Sequence, residues 1–175
     1  MAGSGSRIIF VIGGAKSGKS TFALRQASER PGKKAYIATA QAFDREMEER
    51  IARHRKERSA EWETFEEPKH ISAVIREITN THDVILLDCL TLWISNLLLT
   101  DEALLERYCD DFIEMLGGHT RSYLCIVSNE VGMGIVPEST VSRKFRDCSG
   151  YLNQRVAHVA NEVYLIAAGI PLKIK

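Results

Sequence analysis

An excess of charge of either sign is missing from this chain of 175 residues, which has 23 Lys and Arg against 23 Asp and Glu. Proteins that mainly coat nucleic acid or an anionic membrane need a basic excess, so we expect neither as a main partner. The most apolar stretch, residues 84–99, is too short to cross a bilayer and contains Asp88 and Asn96. No membrane span is predicted, and any phosphate site must come from charge arranged locally.

Cysteine is scarce, and no C-x-x-C pair or zinc-like Cys and His spacing occurs. The residues are Cys89, Cys109, Cys125 and Cys148. We expect buried, reduced thiols. The polar N-terminus has no apolar segment of the kind that a secretion signal needs, so a cytoplasmic protein is predicted.

Short apolar runs alternate with helical patterns along the whole chain, without a repeat or a linker. This alternation predicts an α/β fold with a mainly parallel sheet and helices on both faces. Strands are predicted at 7–12, 34–38, 62–65, 84–88, 123–128, 162–167 and 172–175. Helices are predicted after Ser20 up to Pro31, at 44–58, at 71–79 and over parts of 90–116, with a break near Thr100 and Asp101. A further helix is predicted at 141–159, because apolar residues from Val141 to Val159 recur at intervals of three and four.

Residues 13–20 fit the pattern G-x-x-x-x-G-K-[ST] completely, directly after a predicted strand and before a predicted helix. Glycines let such a loop turn its backbone N–H groups toward phosphate oxygens, and the helix that follows adds its positive end. The loop consists of Gly13, Gly14, Ala15, Lys16, Ser17, Gly18, Lys19 and Ser20. In this motif Lys19 reaches the β- and γ-phosphates and the Ser20 hydroxyl binds Mg²⁺. We therefore predict a P-loop NTPase-type fold. Residues 8–175 form its single nucleotide-binding domain, and 1–7 are a disordered or expression-derived N-terminus.

Asp88 ends the predicted strand VILLD at 84–88. A P-loop enzyme keeps its magnesium carboxylate at the end of a neighbouring parallel strand. The alternative interpretation is an N-cap for the helix that begins near Leu90.

Between residues 50 and 58 five basic side chains stand against one acid, Glu57. On a helix Arg50, His54 and Arg58 would share one face, with the imidazole between two guanidinium groups. A polyphosphate could be held there, and a neutral imidazole is a competent nucleophile toward phosphorus. A solvated basic face and a packed histidine are the alternatives.

Several stretches together resemble one known family. They are IATAQAFDREMEERIARHRKERSAEW at 37–62, DCLTLWISNLL at 88–98, SNEVGMGIVPE at 128–138 and the C-terminal residues from Phe145. The chain resembles the bifunctional adenosylcobinamide kinase/adenosylcobinamide-phosphate guanylyltransferases of cobalamin biosynthesis from about Ile8 to Lys175. The patterns R-I-x-x-H-R at 50–55 and N-E-V-G-x-G-I-V-P at 129–137 are specific to that family, whereas the phosphate loop is shared with many others.

The resemblance implies two reactions and a corrinoid substrate. ATP or GTP phosphorylates adenosylcobinamide, and GTP then delivers GMP to that phosphate through a guanylyl-histidine. His54 matches the nucleophile, beside Lys19 as the second catalytic residue. The resemblance also implies Mg²⁺ and a homotrimer. The family's GTP contacts outside the phosphate loop fall on Ala38, Thr39, Ala40, Arg55, Lys56, Glu57, Arg58, Glu66 and Asp88.

Other functions remain open at this point. A P-loop small-molecule kinase with one activity would use His54 only structurally, and a regulatory nucleotide-binding module would not turn over at all. Asn129 and Glu130 follow strand 123–128, where open α/β sheets bind ligands. Glu130 either orients or deprotonates the acceptor hydroxyl or only shapes the loop.

Overall fold

The computed structural model describes residues 7–42, 45, 49, 60–119 and 121–175. Within these residues seven strands form one sheet, in the order β3-β2-β4-β5-β1-β6-β7. Neighbouring strands from β3 to β6 pair in parallel, and β7 pairs antiparallel with β6. The strands are β1 (Arg7–Gly13), β2 (Lys34–Ala38), β3 (Trp62–Glu66), β4 (Val84–Asp88), β5 (Tyr123–Asn129), β6 (Glu162–Ala167) and β7 (Ile170–Lys173).

Among the described residues, helices follow the parallel strands β1, β3, β4 and β5, which confirms the predicted α/β fold. They are α1 (Lys19–Ser28), α2 (Ile71–Ile78), α3 (Leu90–Thr100), α4 (Leu105–Gly117) and α5 (Thr140–Val159). A short 3₁₀ turn, Glu102–Leu104, separates α3 from α4 where the sequence predicted a break. The helix predicted at 44–58 lies outside the described residues apart from Arg45 and Glu49. Those two are helical, with Arg45 Nε 3.3 Å from Glu49 Oε1.

The sheet is buried on both faces, as parallel sheets require. Successive side chains of β1 point to opposite faces, so Ile8 and Phe10 pack with α2, α3, α4 and α5. Ile9 and Val11 pack on the other face, against Phe22 and its neighbours on α1. The short apolar runs in the sequence are therefore central strands, covered by helices above and below.

Several element ends differ from the sequence prediction by one residue, and larger differences concern the last strand and the apolar stripe of α5. The last strand begins at Ile170, two residues before the predicted 172–175, and all four of its residues are exposed because β7 lies at the sheet edge. Val141, the first residue of the predicted apolar stripe on α5, is also exposed, whereas Leu152 and Val156 are buried. The first turn of α5 therefore does not pack on the core, whereas the later turns, with Leu152 and Val156, do.

Leu97 and Leu99 provide a matched test of this packing, because they lie two residues apart on α3 with side chains 0% and 68% exposed. Leu97→Ala should lower the free energy of unfolding by about 2–5 kcal/mol through lost burial and a cavity. Leu99→Ala should change it by less than about 0.5 kcal/mol. Urea unfolding at one fixed protein concentration measures both, and equal losses would contradict the assignment of Leu97 to the core.

Candidate active site

The phosphate loop, residues 13–20, joins the carboxyl end of β1 to α1. Lys16 and Gly18 have positive φ angles of 57° and 93°, and Gly18 is the N-cap of α1. Such left-handed positions turn successive N–H groups toward one point and create an anion-binding concavity. The first turn of α1 contains no acidic side chain, within the part of the chain described, so its positive end faces the loop without a competing carboxylate.

Distant parts of the chain hold this loop in place. The carbonyl of Gly13 accepts a hydrogen bond from the Glu130 amide, and the carbonyl of Ser17 accepts one from the Gly169 amide, each at 2.9 Å. The Lys19 side chain is 7% exposed and donates from Nζ to the Gly14 carbonyl at 3.1 Å. The ammonium group therefore lies across the loop, next to the backbone that would bind phosphate.

The carboxyl ends of β3, β2 and β4 lie side by side, and β5 separates them from β1 and the phosphate loop. Parallel register pairs Glu66 of β3 with Ala38 of β2, and Ala38 with Asp88 of β4. Three of the residues that the sequence predicted as nucleotide contacts thus lie in one row at the carboxyl edge of the sheet. Glu66 and Asp88 are at least partly exposed there.

Asp88 does not cap α3. The N-cap is Cys89, and Asp88 Oδ2 instead accepts a hydrogen bond of 2.8 Å from the Tyr36 hydroxyl. Burial and, after it, the Asp88 charge raise the pKa of the Cys89 thiol to about 11, and the Lys19 charge opposes the rise. The capping alternative for Asp88 is therefore wrong, and its role as the magnesium carboxylate stays a prediction.

The Thr39 side chain stabilises the site from the protein interior and does not line it. It is fully buried, and its hydroxyl accepts a hydrogen bond from the Cys89 amide and donates one to the Cys89 carbonyl, both at 2.8 Å. Its neighbours Ala38 and Ala40 are half-buried, so they are more accessible to a ligand than the Thr39 side chain.

All four cysteines are free, and Cys89, Cys109 and Cys125 are buried as predicted, whereas Cys148 is only half-buried. Burial raises the pKa of Cys109 to about 12 and raises the pKa of Cys125 and Cys148 as well. A thiol becomes a strong nucleophile when its pKa is lowered, so covalent chemistry on this chain has to use another side chain.

The basic segment of residues 50–58 lies outside the described residues. The predicted roles of its members therefore stay predictions, namely those of His54, Arg55, Lys56, Glu57 and Arg58.

The described residues fit Mg²⁺ in the way that P-loop proteins bind it. Ser20 and Asp88 offer hydroxyl and carboxylate oxygens, which Mg²⁺ prefers, and it binds few protein ligands besides nucleotide phosphates. In the part of the chain that the structure covers, no group of three His, Cys, Asp or Glu side chains forms a separate metal site. The metal would thus be held largely by the nucleotide itself.

One feature of the site was not found from the sequence. Tyr36 binds Asp88 across 52 residues of chain, and no local pattern signals such a contact. Glu130 Oε1 accepts a hydrogen bond of 2.7 Å from the Gly132 amide, so this side chain shapes its own loop, which was one of the two open interpretations.

Among the described helices, none has the length and apolar character needed to cross a membrane.

A glycine-rich loop between the first strand and first helix of a parallel sheet, with an acid at the carboxyl end of another strand of that sheet, defines a P-loop nucleotide-binding protein. A solved structure of a prototypical ATPase from the type III secretion system of pathogenic bacteria shares the fold, with a TM-score of 0.55 at 11% identity. The match covers 95% of this chain but 56% of that one, so it concerns the fold alone.

Family comparison is more specific. The model of the cobinamide kinase/cobinamide phosphate guanyltransferase family matches residues 9–174, and the chain belongs to this family. It is 43% identical to the bifunctional adenosylcobalamin biosynthesis protein CobP of Pseudomonas aeruginosa, over 94% of this chain and 95% of the relative. It is 41% identical to the bifunctional adenosylcobalamin biosynthesis protein CobU of Salmonella typhimurium, over 96% and 99%.

Gly13 and Gly14 differ sharply in the space around them. A Cβ at Gly13 would lie 2.5 Å from Ser17 Oγ and 2.6 Å from the Ile166 carbonyl, whereas a Cβ at Gly14 would meet nothing within 4 Å. Gly13→Ala should therefore destabilise the nucleotide-free protein by about 1–3 kcal/mol. Gly14→Ala should stay within about 0.5 kcal/mol. Chemical unfolding without nucleotide measures both, and equal stabilities would show that the loop tolerates a side chain at Gly13.

Proposed function

We propose that this chain phosphorylates adenosylcobinamide with ATP or GTP and then transfers GMP from GTP to the product, through a guanylyl group on His54. The observation that carries the proposal is a complete phosphate loop beside Asp88 at one sheet edge, in a chain of the cobinamide kinase/cobinamide phosphate guanyltransferase family.

The first reaction needs only positioning and charge. The substrate hydroxyl attacks the γ-phosphorus and loses its proton as a new P–O bond forms. The bond from that phosphorus to the bridging oxygen breaks, and the nucleoside diphosphate leaves. Lys19 and the loop N–H groups bind the phosphate oxygens, where negative charge is concentrated during transfer.

Ser20 and Asp88 would hold Mg²⁺, which neutralises charge on the β- and γ-phosphates when it is bound. Ser20 lies at the second position of α1, directly after Lys19. Asp88 is held at one oxygen by Tyr36. These two residues therefore stand on separate elements of the fold, α1 and β4.

The second reaction takes place at the α-phosphorus. A nitrogen of the neutral His54 imidazole attacks it, a P–N bond forms, and pyrophosphate leaves as the bond to the β-phosphate oxygen breaks. A phosphate oxygen of adenosylcobinamide phosphate then attacks the same phosphorus and breaks the P–N bond. Arg55, Lys56 and Arg58 would bind phosphate charge during these steps.

His54 and Lys19 separate the two reactions experimentally. With α-labelled GTP and Mg²⁺, the wild-type protein should become labelled and release pyrophosphate before any corrinoid is added. His54→Ala should abolish labelling and guanylyl transfer but keep much of the kinase activity, because phosphorylation is a direct transfer. Lys19→Ala should lower both activities by orders of magnitude in a folded protein, since both reactions use the same phosphate loop. Labelling should also fade below about pH 6, where an imidazole becomes protonated.

Two results would refute this assignment. Label on the His54→Ala protein would place the nucleophile elsewhere, and an unlabelled wild-type protein with kinase activity would leave a P-loop kinase with a single activity. The phosphoramidate bond is labile in acid and stable in alkali, so the stability of the label distinguishes a histidine adduct from a serine or threonine ester.

We also propose that the chain forms a homotrimer. The resemblance implies a trimer, and the apolar content of 84–99 and 131–136 is consistent with some of it being covered by a neighbour. The first stretch is instead packed in the chain's own core, with only Leu99 among its large apolar side chains strongly exposed. The second stretch supports the proposal, because Met133, Ile135 and Val136 are 81%, 97% and 61% exposed.

Sedimentation at micromolar concentration should give three times the chain mass of 19.6 kDa. Ile135→Asp should shift the protein toward the monomer, because a carboxylate loses solvation when it enters an apolar interface. Ile135→Val is the matched control and should keep the trimer. A monomeric wild-type protein would contradict the proposal.

A further inference from the structure

Asn96 ties together two segments of chain where they leave the sheet. It lies on α3, is 4% exposed, and uses its amide nitrogen Nδ2 to donate to two carbonyls. The Thr39 carbonyl, just after β2, accepts at 2.8 Å, and the Pro68 carbonyl, just after β3, accepts at 3.1 Å. Both hydrogens of the amide therefore bind backbone carbonyls at the carboxyl edge of the sheet, where the nucleotide site lies.

The Thr39 contact leads directly to Asp88. The Thr39 amide donates to the Asp88 carbonyl at 3.2 Å, and the Thr39 hydroxyl binds both backbone groups of Cys89. Thr39 is thus held to the end of β4 by its amide and hydroxyl, and to α3 by its carbonyl. Because Thr39 is fully buried, water cannot replace Asn96 without a change in the surrounding structure.

We infer that Asn96 is a positioning residue for the Mg²⁺–nucleotide site, acting through Thr39 on the end of β4 that carries Asp88; this rests on the proposed function. Without the Asn96 donor, the Thr39 carbonyl must turn toward another partner. This turn moves the backbone of Thr39, whose amide is bonded to Asp88 and whose hydroxyl is bonded to Cys89, and the Asp88 carboxylate no longer keeps its position relative to Ser20. Groups that orient a metal-binding residue in this way affect metal affinity although they never touch the metal.

Trp93 offers a matched control on the same helix. It lies one turn before Asn96, is fully buried, and donates from Nε1 to the Lys69 carbonyl at 2.7 Å. This bond anchors the connection between β3 and α2. The hydrogen bond of Trp93 to the Cys89 carbonyl, at 3.2 Å, comes from its backbone amide and does not depend on the side chain. Trp93→Phe therefore removes a buried hydrogen bond of α3 while leaving the path from Asn96 to Asp88 intact.

The test measures binding rather than turnover. Calorimetric titration with a non-hydrolysable GTP analogue, repeated over a series of Mg²⁺ concentrations, gives the affinity without metal and the Mg²⁺ concentration at half-maximal effect. In Asn96→Ala the metal-free affinity should stay unchanged, while the Mg²⁺ midpoint should rise about tenfold. Trp93→Phe should leave both values at the wild-type level. Mn²⁺ binding in the presence of the analogue, followed by electron paramagnetic resonance, should weaken in parallel.

Each contrary result identifies what fails. A wild-type Mg²⁺ midpoint in Asn96→Ala, or an equal rise in Trp93→Phe, would overturn the role of Asn96 alone. If the nucleotide affinity of the wild-type protein does not depend on the Mg²⁺ concentration, both this role and the proposed function are wrong. If Asn96→Ala does not fold, Asn96→Ser keeps one hydroxyl donor and should give a smaller rise. If both fail to fold while Trp93→Phe folds, Asn96 is required for the fold itself and the positioning role is wrong.

Discussion

Parallel pairing of β2, β4, β5 and β1 is the constraint on which the site depends. Parallel strands all end at the same edge, so residues far apart in the chain meet there once the register is set. Gly13 pairs with Asn129, and Ala38 pairs with Asp88 on one side and Glu66 on the other. The sheet can hold this arrangement rigidly because helices bury both of its faces.

Burying the strand ends creates a second requirement, since backbone groups that lose water must find other partners. The structure meets it with side chains from the helices and neighbouring strands. Thr39 binds both backbone groups of Cys89, Asn96 binds the Thr39 carbonyl, and Thr91 accepts the Asn129 amide at 2.7 Å. These contacts stabilise the edge and also determine where the accessible side chains of the site stand.

The charge of the site is local, which explains how a chain without net charge can bind a polyphosphate. The Lys19 ammonium, the loop amides and the positive end of α1 converge beside β1. Asp88 stands at the carboxyl end of β4, on the same edge of the sheet, where it can hold a cation together with the phosphates. Buried thiols with raised pKa values leave nucleophilic chemistry to other groups, which suits the proposed role of His54.

The sequence alone determined the elements and the chemistry of the phosphate loop. The β-branched and apolar runs predicted the strands well, with β2 and β4 placed at 34–38 and 84–88, because a strand buried on both faces must be apolar throughout. Only the tertiary structure decided which contacts hold Asp88, since Tyr36 reaches it from another strand and Thr39 and Asn96 are joined across 57 residues. Local sequence patterns reflect how a residue interacts with its neighbours along the chain, for example in helix caps, in turns or in the alternation of side chains between sheet faces. A hydrogen bond between distant strands and helices depends on register and packing, which exist only once the whole sheet has formed.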